Sequence, residues 1–286
     1  MFNSQIKTVL LLGGLTGILL GLGQLFGGTQ GLVIGLLFAG GLNFFSYWFS
    51  DKIVLKIYKA KPADENKHSD LYHMIREIAS HAKLPMPKIY VIETPQANAF
   101  ATGRNPQHAA VAVTSGIMHL LNKNELKGVL AHEMSHIKNR DILISSVAAT
   151  IAGVISYIAM IARWGAIFGG FGGGRNNDNG GILELLVLAI VAPIMALIIQ
   201  MAISRSREFL ADETGAKLIK DPYSLASALE KIEKNVDHFP FKKLGSTEAT
   251  AHMFIHHPFK GKSLLNMFST HPSTKERVQK LRAMKL

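Results

Sequence analysis

Apolar runs long enough to cross a membrane constrain this chain more than any other feature. They cover residues 6–26, 31–50, 142–164 and 182–203. Each reaches the roughly 20 residues that carry an α-helix across a hydrocarbon core about 30 Å thick. A water-soluble helix interrupts such runs with a polar face. In the first run, Gly13, Gly17 and Gly21 recur at the four-residue spacing that lets helix backbones approach closely. A signal peptide looks similar, but no convincing small-residue cleavage site is present and a second apolar run follows at once, so an uncleaved anchor is expected. A short uncharged turn at 27–30 separates the two. The second run ends in Phe44, Phe45, Tyr47, Trp48 and Phe49, side chains that favour the headgroup level. In the fourth, Pro193 is a tolerated kink, and Glu184 lies near an end where water is in reach.

The position of the charge sets the topology. The formal charge is +11, from 31 Lys and Arg against 20 Asp and Glu. All basic residues except Lys7, Arg163 and Arg175 lie in 51–141 and 204–286, together with most of the acidic ones. No single-signed patch marks nucleic-acid binding. The positive-inside rule instead puts both blocks and both termini in the cytoplasm. The Gly- and Asn-rich stretch 165–181 lacks the GxxxxGK[ST] pattern of a phosphate cradle and reads as a linker. The expected organisation is therefore two transmembrane helices in 1–50, a catalytic part in 51–141, two more spans around the linker in 142–203, and a second cytoplasmic part in 204–286. The expected fold class is mainly α with a small β-sheet, embedded in a bilayer by about four helices.

Within 51–141, helical periodicity runs over 64–82. Pro85 and Pro87 then break the chain before a short strand at 88–93, and alternation resumes at 109–114. Asn122 and Glu125 have the spacing of a capping box. The helix they start is expected to run through 132–136 and on into the third span.

That helix carries His132-Glu133-Met134-Ser135-His136. Positions i and i+4 lie on one helical face, so two imidazoles there can hold one zinc ion. Glu133 is rotated away from the pair yet close enough to act on a water beside the metal, the arrangement of a metalloprotease helix. Alone, the pattern also fits an amphipathic helix with two solvated histidines. A second signal cuts against that. Glu208 and Asp212 are again i and i+4, just after the fourth span. Glu208 can supply the third protein ligand that catalytic zinc requires, and Asp212 can accept the second ring N–H of a ligating histidine. The chain has no cysteine, so disulfides, thiolate ligands and a cysteine nucleophile are excluded. His252, His256 and His257 form another cluster, but no helical pair spacing links His256 and His257, and the three read as loop residues.

With these motifs in order, the sequence resembles the HtpX heat-shock membrane metalloproteases, relatives of the CAAX prenyl endopeptidases. The resemblance rests on the paired N-terminal spans, residues 98–103, AHEMSH at 131–136, SRSREFLAD at 204–212 and THPSTKER at 270–277. Ser273 departs from it, standing where many relatives carry a second proline. The resemblance implies a zincin-like fold, one Zn2+ per chain held by His132, His136 and Glu208, and Glu133 as the catalytic carboxylate. It implies that Asn98 and Ala99 pair with substrate backbone as an edge strand, and that His271 and Arg277 act near the site. Two readings stand for His271, an oxyanion donor or a structural group beside Pro272. Two stand for Arg277, transition-state support or a structural ion pair. The family further implies misfolded membrane proteins as substrates, quality control under stress beside an ATP-dependent membrane protease, and a bacterial inner-membrane location with the site facing the cytoplasm.

Rival readings are an intramembrane site-2-type protease, a metal-binding membrane scaffold without turnover, and a prenyl-protein processing enzyme. Lys127, Lys138 and Arg140 around the motif argue against burial in the bilayer. Glu133 argues against the scaffold. Prenyl-processing relatives typically carry more spans.

Overall fold

The computed structural model describes residues 2–148, 150–151, 205–238, 255 and 272–285. Within them the chain is mostly helical around one small sheet. The expected fourth span, the linker, His252, His256, His257 and most of the third span lie outside the described residues.

Helix α1, Phe2–Ile57, is broken into two arms at Gly28, whose φ of 54° and ψ of −140° no β-branched or bulky residue adopts cheaply. The arms fold back on each other. Asn43 Nδ2 donates to Thr16 Oγ1 at 2.8 Å and to Leu12 O at 3.4 Å. They come close at Gly35, where a Cβ would stand 2.6 Å from Leu19 O. The Gly13, Gly17 and Gly21 row does not make that approach, since no described atom comes within 4 Å of a Cβ built on them. The second arm, Gly28–Ile57, is long and apolar enough to cross a membrane, and it is the one such helix among the described residues. Its Leu32, Val33, Ile34, Leu37, Phe38, Phe44 and Phe45 point outward. An apolar surface of this kind on a single helix calls for lipid.

The arm runs past residue 50 because its last turns have a second task. Val54 and Leu55 pack with Phe100, Ile92, Ala110 and Ala112 against one face of the sheet. The sheet has the order β1-β2-β4-β3, with β1 Lys61–Pro62, β2 Lys88–Ile92, β3 Ala99–Gly103 and β4 Ala109–Thr114. β2 and β4 are parallel, while β1 and β3 pair antiparallel on the outside. Its other face, with Ile89, Val91, Val111 and Val113, buries against α2, Ser69–Ala82, and α4, Lys123–Asn139, while the short α3, Ser115–Leu120, follows β4 directly. β4 is buried on both faces along its whole length, so the alternation expected at 109–114 does not divide a wet face from a dry one. α2 begins five residues later than its periodicity suggests, because the Asp64 side chain accepts from Asn66 N at 2.9 Å and turns the chain there.

α4 starts with the expected capping box, in which Asn122 and Glu125 bond reciprocally. It does not continue into the next span. Arg140 adopts a left-handed conformation, φ 58°, and its N–H closes the helix end. A new helix, α5, then begins at 142. The remaining elements are α6 Arg205–Ile219, α7 Pro222–His238 and α8 Thr274–Arg282. Ser273, at the proline position of many relatives, caps α8. Its Oγ accepts from Glu276 N at 3.2 Å and its own N–H donates to Glu276 Oε2, a bond proline cannot make.

Candidate active site

α4 lies between the sheet and α6, and this places its motif at the meeting point of three elements. His132 and Glu133 are buried and His136 is half-buried, so the histidines are not a solvated helix face. α6 packs against α4 through Gly215. A Cβ there would stand 2.9 Å from His132 N and 3.0 Å from Ala131 C. That approach brings Glu208, two turns earlier on α6, over the histidine pair.

Nε2 of His132 lies 3.2 Å from Nε2 of His136. Glu208 Oε2 is 3.7 Å from His132 Nε2, and its Oε1 is 3.8 Å from His136 Nε2. A tetrahedral ion with bonds of about 2.0–2.1 Å sets its ligand atoms roughly 3.3 Å apart. The donor spacing therefore fits one metal ion, and His132, His136 and Glu208 form a metal site.

The other ring nitrogens are also occupied. His132 Nδ1 is 2.9 Å from Asp212 Oδ1. His136 Nδ1 lies 3.1 Å from both oxygens of Asp141. Each histidine can thus donate Nδ1–H to a carboxylate and turn a bare Nε2 towards the metal position. Burial works against the imidazolium of His136, yet the carboxylates of Asp141, Glu208 and Glu133 raise its pKa to about 10. The same negative field favours a cation between the rings.

Asp212 is held in turn by Arg277, which donates through Nε at 2.8 Å and through Nη2 at 2.7 Å. Burial alone would raise the Asp212 carboxyl, but Arg277 and His132 keep it below the usual range. Arg277 is buried, and Nη1 donates to Ile255 O at 3.1 Å. It touches the metal-site histidine both through Asp212 and directly, its Nη2 lying 3.4 Å from His132 Nδ1 and Nε2, and its Nη1 is 3.7 Å from Glu208 Oε2.

Glu133 occupies the side of α4 that faces β3. Its Oε2 accepts from Ala101 N at 2.9 Å. Burial chiefly, with the charge of Glu208, raises its pKa. β3 is an edge strand, so peptide groups along it alternate between β4 and the open side. Ala101 N and Gly103 N face the open side, towards Glu133 and Ser146 Oγ respectively. Ala99 shares their parity. Asn98 does not. Its N–H donates to Thr114 Oγ1 at 2.9 Å and its carbonyl accepts from Thr114 N at 3.0 Å, while its Oδ1 accepts from Ile255 N at 3.2 Å. Its peptide groups serve β4, and its side chain supports the segment under Arg277.

His271 lies outside the described residues. Asp141 and Gly215 went unread in the sequence. Asp141 reaches His136 only because Arg140 turns the chain back, and an Asn-Arg-Asp run at the end of a helix was the available signal.

The model of Peptidase family M48 matches residues 65–285. A protease HtpX homologue of Persephonella marina is 53% identical over 280 residues, covering 98% of this chain and 96% of that one. Homologues with the same description from Desulfatibacillum aliphaticivorans and Thermococcus kodakarensis are each 52% identical, over 98% and 97% of this chain and 89% and 94% of theirs. Among solved structures, that of S. mikatae Ste24p shares the fold, with a TM-score of 0.50 at 20% identity. This chain is covered over 97% of its length there but spans only 65% of that longer one. Two imidazoles and a carboxylate converging on one point, in a chain matched over most of its length, make this a metallopeptidase, and the chain belongs to peptidase family M48.

Proposed function

We propose that this chain is a zinc-dependent endopeptidase of the bacterial inner membrane that cuts misfolded or damaged membrane proteins at the cytoplasmic face. The observation that carries the reading is the position of Glu133. One buried carboxylate stands beside the metal site and touches the open edge of β3. A group that moves a proton is thereby joined to a strand edge able to hold an extended peptide through main-chain hydrogen bonds.

His132, His136 and Glu208 would hold the ion, and imidazole with carboxylate suits zinc. When bound, zinc supplies Lewis acidity towards water and the scissile carbonyl. Glu133 takes the proton from the attacking water and delivers it to the leaving amine nitrogen. Ala99, facing the open side of β3, pairs with substrate backbone, which gives low sequence specificity. Asp212 and Asp141 orient the ligating rings, and Arg277 holds Asp212. His271, which the resemblance puts near the site, is assigned the oxyanion contact. Four spans, two of them the arms of α1, complete the topology. Action beside an ATP-dependent membrane protease is part of the same proposal and is carried by the resemblance.

The test is cleavage of an unfolded protein by the detergent-purified full chain, stripped of metal and then restored with zinc, beside Glu133→Ala prepared identically. Zinc-dependent cleavage that Glu133→Ala loses, with zinc binding kept, is the expected result. Zinc binding without turnover in either protein would point to a scaffold, and activity surviving in Glu133→Ala would move the active site elsewhere.

A further inference from the structure

Where the second arm of α1 leaves the apolar zone, Lys52 and Lys56 lie at i and i+4 on one helical face, and Lys59 follows just past the helix end in a left-handed conformation, φ 52°. With Leu55, Ala60 and Tyr90 they line a cleft of about 450 Å3 between the helix end and β2. All three lysines are exposed, and among the described residues no carboxylate pairs with them. Three unneutralised ammonium groups around one cleft make a receptor for an anion.

The height of the cleft says which anion. Trp48 and Phe49 end the aromatic belt, and Lys52 follows about 6 Å further along the helix axis, Lys56 about 12 Å, at 1.5 Å per residue. The headgroup layer occupies roughly 5–8 Å on each side of the hydrocarbon core. Lys52 thus sits at the depth of lipid phosphates, with its ammonium 5.3 Å from the Phe49 ring centre. Lys56 lies just above, within reach of the same layer through its long side chain. A second cation marks the same level, since the Arg104 guanidinium lies 4.7 Å from the Trp48 ring centre.

We infer that this cleft binds the phosphate headgroup of an anionic glycerophospholipid and so fixes the height of the sheet above the bilayer. The cleft joins α1 to β2, and Arg104 follows directly on β3. A lipid held at one end and the Arg104–Trp48 contact at the other set the position of the β3 edge relative to the membrane surface. The inference rests on the reading that Gly28–Ile57 crosses the membrane.

The experiment uses the full chain carrying Trp164→Phe, which leaves Trp48 as the sole tryptophan. It is reconstituted in phosphatidylcholine vesicles containing a minor fraction of acyl-brominated phosphatidylglycerol or acyl-brominated phosphatidylcholine, and quenching of Trp48 is read. Each lysine near an anionic headgroup strengthens association about fivefold. Brominated phosphatidylglycerol is therefore expected to quench with at least a tenfold preference over the zwitterionic lipid. That preference should vanish in Lys52→Gln/Lys56→Gln/Lys59→Gln and persist in Lys67→Gln/Lys83→Gln/Lys123→Gln, whose sites flank α2 across the sheet. Equal quenching by both lipids, or preference retained in the first triple variant, overturns the inference. Loss of the preference on adding millimolar inorganic phosphate overturns it too, in favour of a site for free phosphate. Absence of quenching by either lipid would remove the membrane reading itself.

Discussion

Gly215 on α6 lies directly against the backbone of His132 on α4, so close that a Cβ at 215 would stand 2.9 Å from His132 N. Both neighbours at that point are main-chain atoms, which cannot rotate away. The contact sets the distance between the two helices that carry the metal-site donors.

Gly215→Ala should therefore force α6 off α4. Overpacking of this kind costs about 1–3 kcal/mol. The larger effect falls on the site, because Glu208 moves with its helix. Zinc affinity, read by competition with a chromophoric chelator, should drop at least tenfold, and cleavage with it. An alanine variant with unchanged affinity would show that the contact is not what positions Glu208.

Asp141 and Asp212 hold the two ligating histidines in the same way, and Asp212 is in addition gripped by two hydrogen bonds from Arg277. Asp141→Asn should lower zinc affinity roughly 10- to 100-fold. Asp212→Asn should do that and also take from the buried Arg277 its bidentate charge partner, leaving the longer 3.7 Å contact to Glu208, a loss of about 1–3 kcal/mol. Parallel chelator titrations and thermal midpoints separate the two variants.

Metal removal should loosen the fold as well as stop turnover. The donors come from two helices, α4 and α6, so a bound ion cross-links them. A ligand present at about 1,000 times its dissociation constant adds about 4 kcal/mol. A chelator should lower the thermal midpoint of the purified protein, and added zinc should restore it.

The start of α4 gives a pH dependence with a definite sign. Burial acts to raise the carboxyl of Glu125, but Lys231, Ser227 and the N–H of Asn122 hold its pKa below the usual 4.5. A carboxylate depressed in the fold contributes stability that is present above its unfolded pKa and lost as pH falls through its folded value. Glu125→Gln should be destabilised by about 1–2 kcal/mol near neutral pH. Its thermal midpoint should then converge on that of the parent as pH falls below about 4.5. A constant gap across that range would contradict the assignment.

Much of this site was legible in the linear sequence because helical spacing is local. His132 and His136 at i, i+4, Glu208 and Asp212 at i, i+4, and the Asn122–Glu125 cap are all consequences of 3.6 residues per turn, needing no tertiary information. The apolar exterior of Gly28–Ile57 was equally plain from composition.

What tertiary structure alone decided is how those local pieces meet. Arg140 breaks the helix that periodicity would have carried onward, and that break delivers Asp141 to His136. Gly215 brings Glu208 to within 3.8 Å of both imidazoles, although more than seventy positions separate them in the chain. Strand parity sends Ala101 towards Glu133 and turns Asn98 inward to Thr114, a matter of register that single-strand patterns do not carry. Residue type and spacing determined which groups can bind a metal and move a proton. Close packing of backbones at one glycine and the pairing of one edge strand determined that they stand together.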